Sequence, residues 1–175
     1  IYSSLIKEKE NIVLIGMPGA GKSTVGVLLA KSFLMDFTDT DLVIQRKTKK
    51  ALCDIINEKG TDHFIRLEEE IILGENFSNS VIATGGSAVY GEKAMKKLRE
   101  NAVTVYLEVS LPELIKRLGD ITTRGIAMDK DKGIPELFEE RTPLYEKYAD
   151  ITVDCTRLTP EECVKSIFNL ISQLQ

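Results

Sequence analysis

The chain has 175 residues, with 23 Lys plus Arg against 27 Asp plus Glu and a net charge of −4, a length that fits one domain able to bury an ordinary core. No apolar run approaches the about 20 residues that cross a bilayer, and no basic stripe marks a nucleic-acid partner. Cys53, Cys155 and Cys163 show neither metal-ligand spacing nor a disulfide framework, so a reducing cytoplasmic compartment is the simplest expectation and a small metabolite the simplest partner.

Residues 1–10 are polar and read as an N-terminal extension of a single domain, 1–175. Ile12-Val13-Leu14-Ile15 predicts a buried strand, and Gly16-Met17-Pro18-Gly19-Ala20-Gly21-Lys22-Ser23 follows it directly. Val25, Leu28, Leu29 and Phe33 then recur at helical spacing, which predicts a helix over 22–33. Strand, glycine-rich loop and helix together are the setting of a phosphate-binding loop. Gly16, Gly19 and Gly21 let the backbone curl so that its N–H groups converge, with those of Ala20 and Thr24, on phosphate oxygens at a helix N-terminus. Lys22 is placed to reach the β- and γ-phosphates and the Ser23 hydroxyl to hold Mg²⁺. The expected ligand is a nucleoside triphosphate with its metal.

A second strand is expected at about 36–39, ending in Phe37-Thr38-Asp39-Thr40-Asp41. On an extended segment Asp39 and Asp41 point the same way at the sheet edge where open α/β sheets bind ligands. One carboxylate can serve Mg²⁺ while the other accepts a hydrogen bond from a substrate hydroxyl. The plainer alternative makes Asp41 a helix cap and Asp39 a turn residue. Helices are expected over 41–57 and 61–76, then a strand at 80–84 closing on Thr84-Gly85-Gly86-Ser87, whose paired glycines allow close approach of a ligand to the backbone. A helix at 91–100, a strand at 103–107 and a helix at 111–119 follow. Residues from Asp120 to about 134 are polar, glycine-flanked and weakly periodic, and read as a lid loop carrying Arg124. A helix over 135–148 brings Arg141, whose planar fork suits a carboxylate. The last strand, 151–153, ends at Asp154, a weaker candidate for the metal-side carboxylate that is better read as a turn residue. Thr159 and Pro160 open the final helix, 160–173. Five short apolar strands alternating with helices predict an α/β fold, a mostly parallel sheet covered on both faces.

The phosphate loop, Phe-Thr-Asp-Thr-Asp, Thr-Gly-Gly and Arg141-Thr142-Pro143-Leu144-Tyr145 together resemble the shikimate kinase family, from about residue 11 to the end. The resemblance implies a three-layer nucleoside-monophosphate-kinase-like fold with sheet order 2-3-1-4-5. It implies transfer of the ATP γ-phosphoryl group to a ring hydroxyl of shikimate, in aromatic amino acid biosynthesis, by a monomer or weak dimer. Carried over by motif, Lys22 and Arg124 stabilise the phosphoryl group and Ser23 and Asp39 serve Mg²⁺. Asp41 orients the hydroxyl and takes its proton, while Gly85, Gly86, Ser87, Glu68 and Arg141 hold the acceptor. Arg117 and Arg157 fall where the family packs the adenine. Family members usually carry Phe-Arg-x-x-Glu with that arginine on the shikimate carboxylate, but here Phe64-Ile65-Arg66-Leu67-Glu68 puts Ile65 in its place. A one-residue shift would bring Arg66 into the motif at the expense of the apolar face of Phe64, Leu67 and Ile71, so Arg66 is expected about 100° away around the helix. Ser87 stands for a third glycine and Gly125 for a proline. Two alternatives stay open: a kinase of another hydroxylated acid or polyol, and an ATP-binding module without turnover. The Asn-Lys-x-Asp motif that reads guanine is absent, which argues against a switch GTPase.

Overall fold

Ile12, Val13, Leu14 and Ile15 are completely buried, as expected for a strand apolar on both faces and therefore placed in the middle of a parallel sheet. The structure, a computed structural model, describes residues 9–119, 126–128 and 132–174. Five parallel strands, β1 (Asn11–Ile15), β2 (Asp36–Asp39), β3 (Ser80–Ala83), β4 (Ala102–Glu108) and β5 (Ile151–Asp154), stand in the order β2-β3-β1-β4-β5. The outer strands betray their position in sequence. β2 reads Asp-Phe-Thr-Asp, and β5 alternates buried with exposed residues, whereas β3 is buried throughout.

Eight α-helices connect or follow the strands among the described residues: α1 (Lys22–Phe33), α2 (Thr40–Thr48), α3 (Leu52–Lys59), α4 (Thr61–Gly74), α5 (Glu92–Glu100), α6 (Leu111–Leu118), α7 (Ile134–Tyr148) and α8 (Pro160–Gln173). α1 and α8 pack together over the sheet, with the Phe33 and Phe168 rings 5.8 Å apart. α5 and α7 lie against β4, where Tyr106 stacks on Tyr145 at 5.2 Å. Thr159 caps α8 by accepting from the Glu162 N–H while the Glu162 carboxylate accepts from the Thr159 N–H, the reciprocal arrangement that its Thr-Pro-Glu-Glu start encodes.

One element differs from expectation. The helix expected over 41–57 is two helices, because Lys49 takes a left-handed conformation with φ 56° and ends α2. On one straight helix Ile44 and Ile55 would stand about 16 Å apart along the axis. The break folds α3 back, so that Val43, Ile44 and Ile55 join Phe64, Ile71 and Ala127 in a small core of their own beside the main one. The lid reading for about 120–134 falls largely outside the described residues, and α7 already begins at Ile134.

Candidate active site

β1 runs into the phosphate loop at Gly16, where φ is 148° and an added Cβ would lie 2.7 Å from the Leu107 carbonyl oxygen. Gly19 and Gly21 have φ of 82° and 91°, and Gly21 is the residue from which α1 starts. Such angles suit glycine. The Ala20 N–H donates to the Met17 carbonyl, closing the turn, and Ala20 itself is buried. Lys22 reaches back across the loop, its Nζ donating to the carbonyls of Gly16 at 2.7 Å and Met17 at 2.9 Å. Burial pulls the Lys22 ammonium down to about 8, although Asp41 opposes that shift. The lysine thus keeps its charge near neutrality in a place where a phosphate is the natural counterion.

The strand at β2 ends two residues earlier than the extended pairing of Asp39 and Asp41 requires. Asp39 is the last strand residue and caps α2, with Oδ1 accepting from the N–H groups of Asp41 at 2.9 Å and Leu42 at 3.4 Å. The cap is therefore Asp39, and Asp41 belongs to the first helical turn. Asp39 Oδ2 accepts from Ser23 Oγ at 2.6 Å. Two oxygens this close match the about 2.9 Å between adjacent ligands of an octahedral Mg²⁺, so the residues present fit the metal.

Asp41 faces Gly85 across the end of β3. Gly85 is held by its N–H to Thr40 Oγ1, and Thr84 donates through both N–H and Oγ1 to the Leu14 carbonyl. A Cβ on Gly85 would lie 2.6 Å from both Asp41 Oδ1 and Glu68 Oε1. The residue is glycine because two carboxylates close over it. Burial, then Asp39, pushes the Asp41 carboxyl up to about 6, with Lys22 pulling the other way. Glu68 is 1% exposed, with Oε2 accepting from Ser87 Oγ at 2.5 Å and Oε1 without a hydrogen-bond partner among the described residues. Burial raises its carboxyl to about 8, and the Ser87 hydrogen bond lowers it.

This group has a measurable signature. A carboxyl whose pKa rises on folding stabilises the fold fully below its ordinary value of 4.5, and that contribution is lost as pH rises through about 8. Glu68→Gln lacks the titration. Wild type is therefore expected to lose thermal stability relative to Glu68→Gln between pH 5 and pH 8.5, and melting temperatures that track each other across that range would contradict it.

Arg141 is 1% exposed at the middle of α7. It donates through Nη2 to the Ala127 carbonyl and through Nε to the Tyr90 hydroxyl at 3.3 Å, and its guanidinium lies 5.2 Å from the Tyr90 ring centre. Nη1 lies beside Gly86, 2.9 Å from where a Cβ would stand. Pro18, Gly19, Gly21, Lys22, Ser23, Thr24, Asp41, Thr84, Gly85, Gly86, Ser87 and Arg141 all line one cavity of about 430 Å³. Leu52, Phe64, Ile126 and Ala127 complete its wall and were not anticipated. Leu52 reaches the cavity because of the break after α2, which propensity does not encode.

Ile65 lies apart. It lines a neighbouring depression with Tyr90, Leu137 and Ala127, the last of which also belongs to the main cavity. Phe64 and Glu68 are buried, while Arg66 is exposed, so the ungapped register of α4 holds and Arg66 is turned away from the site. Arg117 packs against the outer side of the phosphate loop, donating to Glu113 at 2.9 Å and to the Gly19 carbonyl at 3.3 Å. Arg157 is exposed beyond β5, and neither arginine lines the cavity. Asp154 accepts from the Thr156 N–H at 3.0 Å and hydroxyl at 2.6 Å, which makes it the turn residue expected. Arg124 lies outside the described residues.

A family model for shikimate kinase matches residues 18–172. The shikimate kinase of Thermodesulfovibrio yellowstonii is 39% identical over 168 residues, covering 94% of this chain and 96% of that protein. That of Thermobifida fusca is 39% identical over 157 residues, covering 89% and 91%. Among solved structures, shikimate kinase from Acinetobacter baumannii in complex with shikimate superposes with a TM-score of 0.89 at 26% identity, covering 100% of this chain and 99% of that one. Shikimate kinase from Aquifex aeolicus gives 0.76 at 33% identity, covering 94% and 97%. A gluconokinase from Sinorhizobium meliloti, at 17% identity and a TM-score of 0.56, shares the fold alone. With the glycine-rich loop, Lys22, Asp41 and Arg141 around one cavity, and a family model matched over most of its length, this chain belongs to the shikimate kinase family, ATP-dependent phosphotransferases with an alcohol acceptor.

Proposed function

We propose that this chain transfers the γ-phosphoryl group of ATP to the 3-hydroxyl of shikimate, giving shikimate 3-phosphate and ADP. The observation that carries the reading is the convergence of Lys22, Asp41 and Arg141 on one cavity, which seats a phosphate donor beside an anionic, hydroxylated acceptor. The relatives do not favour a kinase of another hydroxylated acid or polyol, or a module without turnover.

Phosphoryl transfer asks the protein mainly for positioning and charge neutralisation. Loop amides and Lys22 hold the donor phosphates, and Thr24 lines the same wall. Ser23 and Asp39 would hold Mg²⁺, which draws charge from the phosphate oxygens when bound. Arg141 takes the acceptor carboxylate through the fork edge beside Gly86. Glu68 and the Gly85 backbone hold the hydroxylated ring face, and Ser87 fixes Glu68. Asp41 accepts the hydroxyl proton as the oxygen forms its bond to phosphorus and the bond to the β-phosphate oxygen breaks. Arg124, by its place in the motif, completes the neutralisation, and Arg117 and Arg157 flank the base of the nucleotide. Among the described residues no helix is long and apolar enough to cross a membrane. The reading includes a cytoplasmic enzyme acting as a monomer or weak dimer, as the family resemblance implies.

The test is ADP release from ATP and Mg²⁺ with shikimate, with the product read by phosphorus NMR. Absence of turnover at millimolar shikimate, with turnover of another hydroxylated acid, would overturn the reading. A second expectation concerns Ile65, which lines the neighbouring depression that shares Ala127 with the main cavity. Ile65→Arg supplies a second charge-assisted hydrogen bond to a carboxylate, worth about 1.5 kcal/mol or more, so calorimetry should show shikimate bound about tenfold more tightly. Unchanged affinity would mean that the side depression does not communicate with the acceptor.

A further inference from the structure

Arg141 is a buried cation with no ion-pair partner among the described residues, yet its direction is fixed. Its Nε donates to the Tyr90 hydroxyl at 3.3 Å, and that hydroxyl donates in turn to Glu140 Oε1 at 2.5 Å. Glu140 Oε2 accepts from Lys132 Nζ at 2.6 Å. Tyr90 closes the 3₁₀ turn Ala88–Tyr90 that follows Gly85, Gly86 and Ser87, while Glu140 precedes Arg141 on α7. The chain of hydrogen bonds therefore ties the glycine edge of the cavity to the helix that carries the guanidinium.

A carboxylate touching Arg141 directly would orient it but would also neutralise it, leaving little attraction for an anionic ligand. One hydroxyl interposed between them separates the two effects. Glu140 polarises Tyr90, Tyr90 holds Nε, and the opposite edge of the guanidinium, with Nη1 beside Gly86, keeps its charge for the cavity. We propose that Tyr90 and Glu140 are positioning residues for the acceptor clamp, acting in series on Arg141 to aim its fork at a carboxylate of the substrate.

This rests on the shikimate reading above, and two readouts keep the failures apart. Tyr90→Phe retains the ring over which Arg141 lies and removes only the hydroxyl, whereas Glu140→Gln retains shape and removes charge. In each variant the KM for shikimate should rise about tenfold, the loss of one charge-assisted hydrogen bond, with kcat and the KM for ATP within twofold of wild type. The methyl ester of shikimate should be turned over equally by wild type and variants. Acting in series, the two substitutions together should cost no more than Tyr90→Phe alone. Independently of any substrate, the Nε–H proton resonance of Arg141, assigned by its loss in Arg141→Lys, should exchange with water faster in both variants. If wild type does not act on shikimate the function fails, and the exchange measurement still decides the proposal. An unchanged Arg141 resonance in Tyr90→Phe, or an equal loss on the ester, overturns it.

Discussion

Asp41→Asn is expected to lower kcat by about 10²- to 10⁴-fold, the range of a positioned general base, while leaving the dissociation constant of ATP within about twofold. The reason is geometric. Asp41 stands with Oδ1 over Gly85, on the side proposed for the acceptor, and it is Asp39, not Asp41, that bonds Ser23 beside the phosphate loop. An amide of the same shape keeps the packing and removes the base. In wild type the carboxyl sits at about 6, raised by burial, so it is ionised and competent above that pH. kcat/KM should fall about tenfold per unit below it, since protonation removes the acceptor of the hydroxyl proton. Nucleotide binding by fluorescence or calorimetry, beside a rate assay, separates the two quantities. A variant with full activity would remove Asp41 from the chemistry.

Lys22→Met should cost about 10²- to 10³-fold in kcat, as does the loss of one preorganised donor to developing charge, and unlike Asp41→Asn it should also raise the KM for ATP. The lysine spans the loop through the Gly16 and Met17 carbonyls, so its removal both takes a charge from the donor phosphates and frees the backbone that cradles them. Arg at this position is not a rescue. A flat five-donor fork does not fit where a compact ammonium bonds two carbonyls in a buried turn. Because burial draws the ammonium down to about 8, kcat/KM should decline above that pH as the charge is lost. Together with the Asp41 limb this gives a bell whose two apparent values belong to a coupled site. A flat profile between pH 5 and 9 would contradict both assignments.

Much of this was legible in the sequence because the side proposed for the phosphate donor is built from backbone and nearest neighbours. A glycine-rich loop between an apolar run and a helix has one geometry, and five apolar runs alternating with helices have few. The side proposed for the acceptor comes from residues far apart in the chain, so less of it could be read. Asp41 and Glu68 meet over Gly85, and Ser87 fixes Glu68. Tyr90 gave no signal, because a tyrosine after Ser-Ala-Val is unremarkable until α7 brings Arg141 beneath it. The division of 41–57 into two helices was hidden for a related reason. Helical periodicity from Ile44 to Ile55 is kept across the break, and only the tertiary demand for a shared core distinguishes one helix from two. Arg117 lies between the phosphate loop and the Cys155 carbonyl, two residues before the exposed Arg157, a proximity that sequence spacing alone does not reveal.

The small core of Val43, Ile44, Ile55, Phe64, Ile71 and Ala127 carries a consequence for how the molecule breathes. It lies outside the sheet's own hydrophobic interior and holds α2, α3 and α4, the elements that bring Asp41 and Glu68 over Gly85. A cluster of six buried residues opens at lower free energy than the large core under the phosphate loop. Backbone amides of these three helices should therefore exchange with solvent in a unit separate from β1 and α1, so that the floor of the cavity stays shut while the wall carrying Asp41 loosens and re-forms.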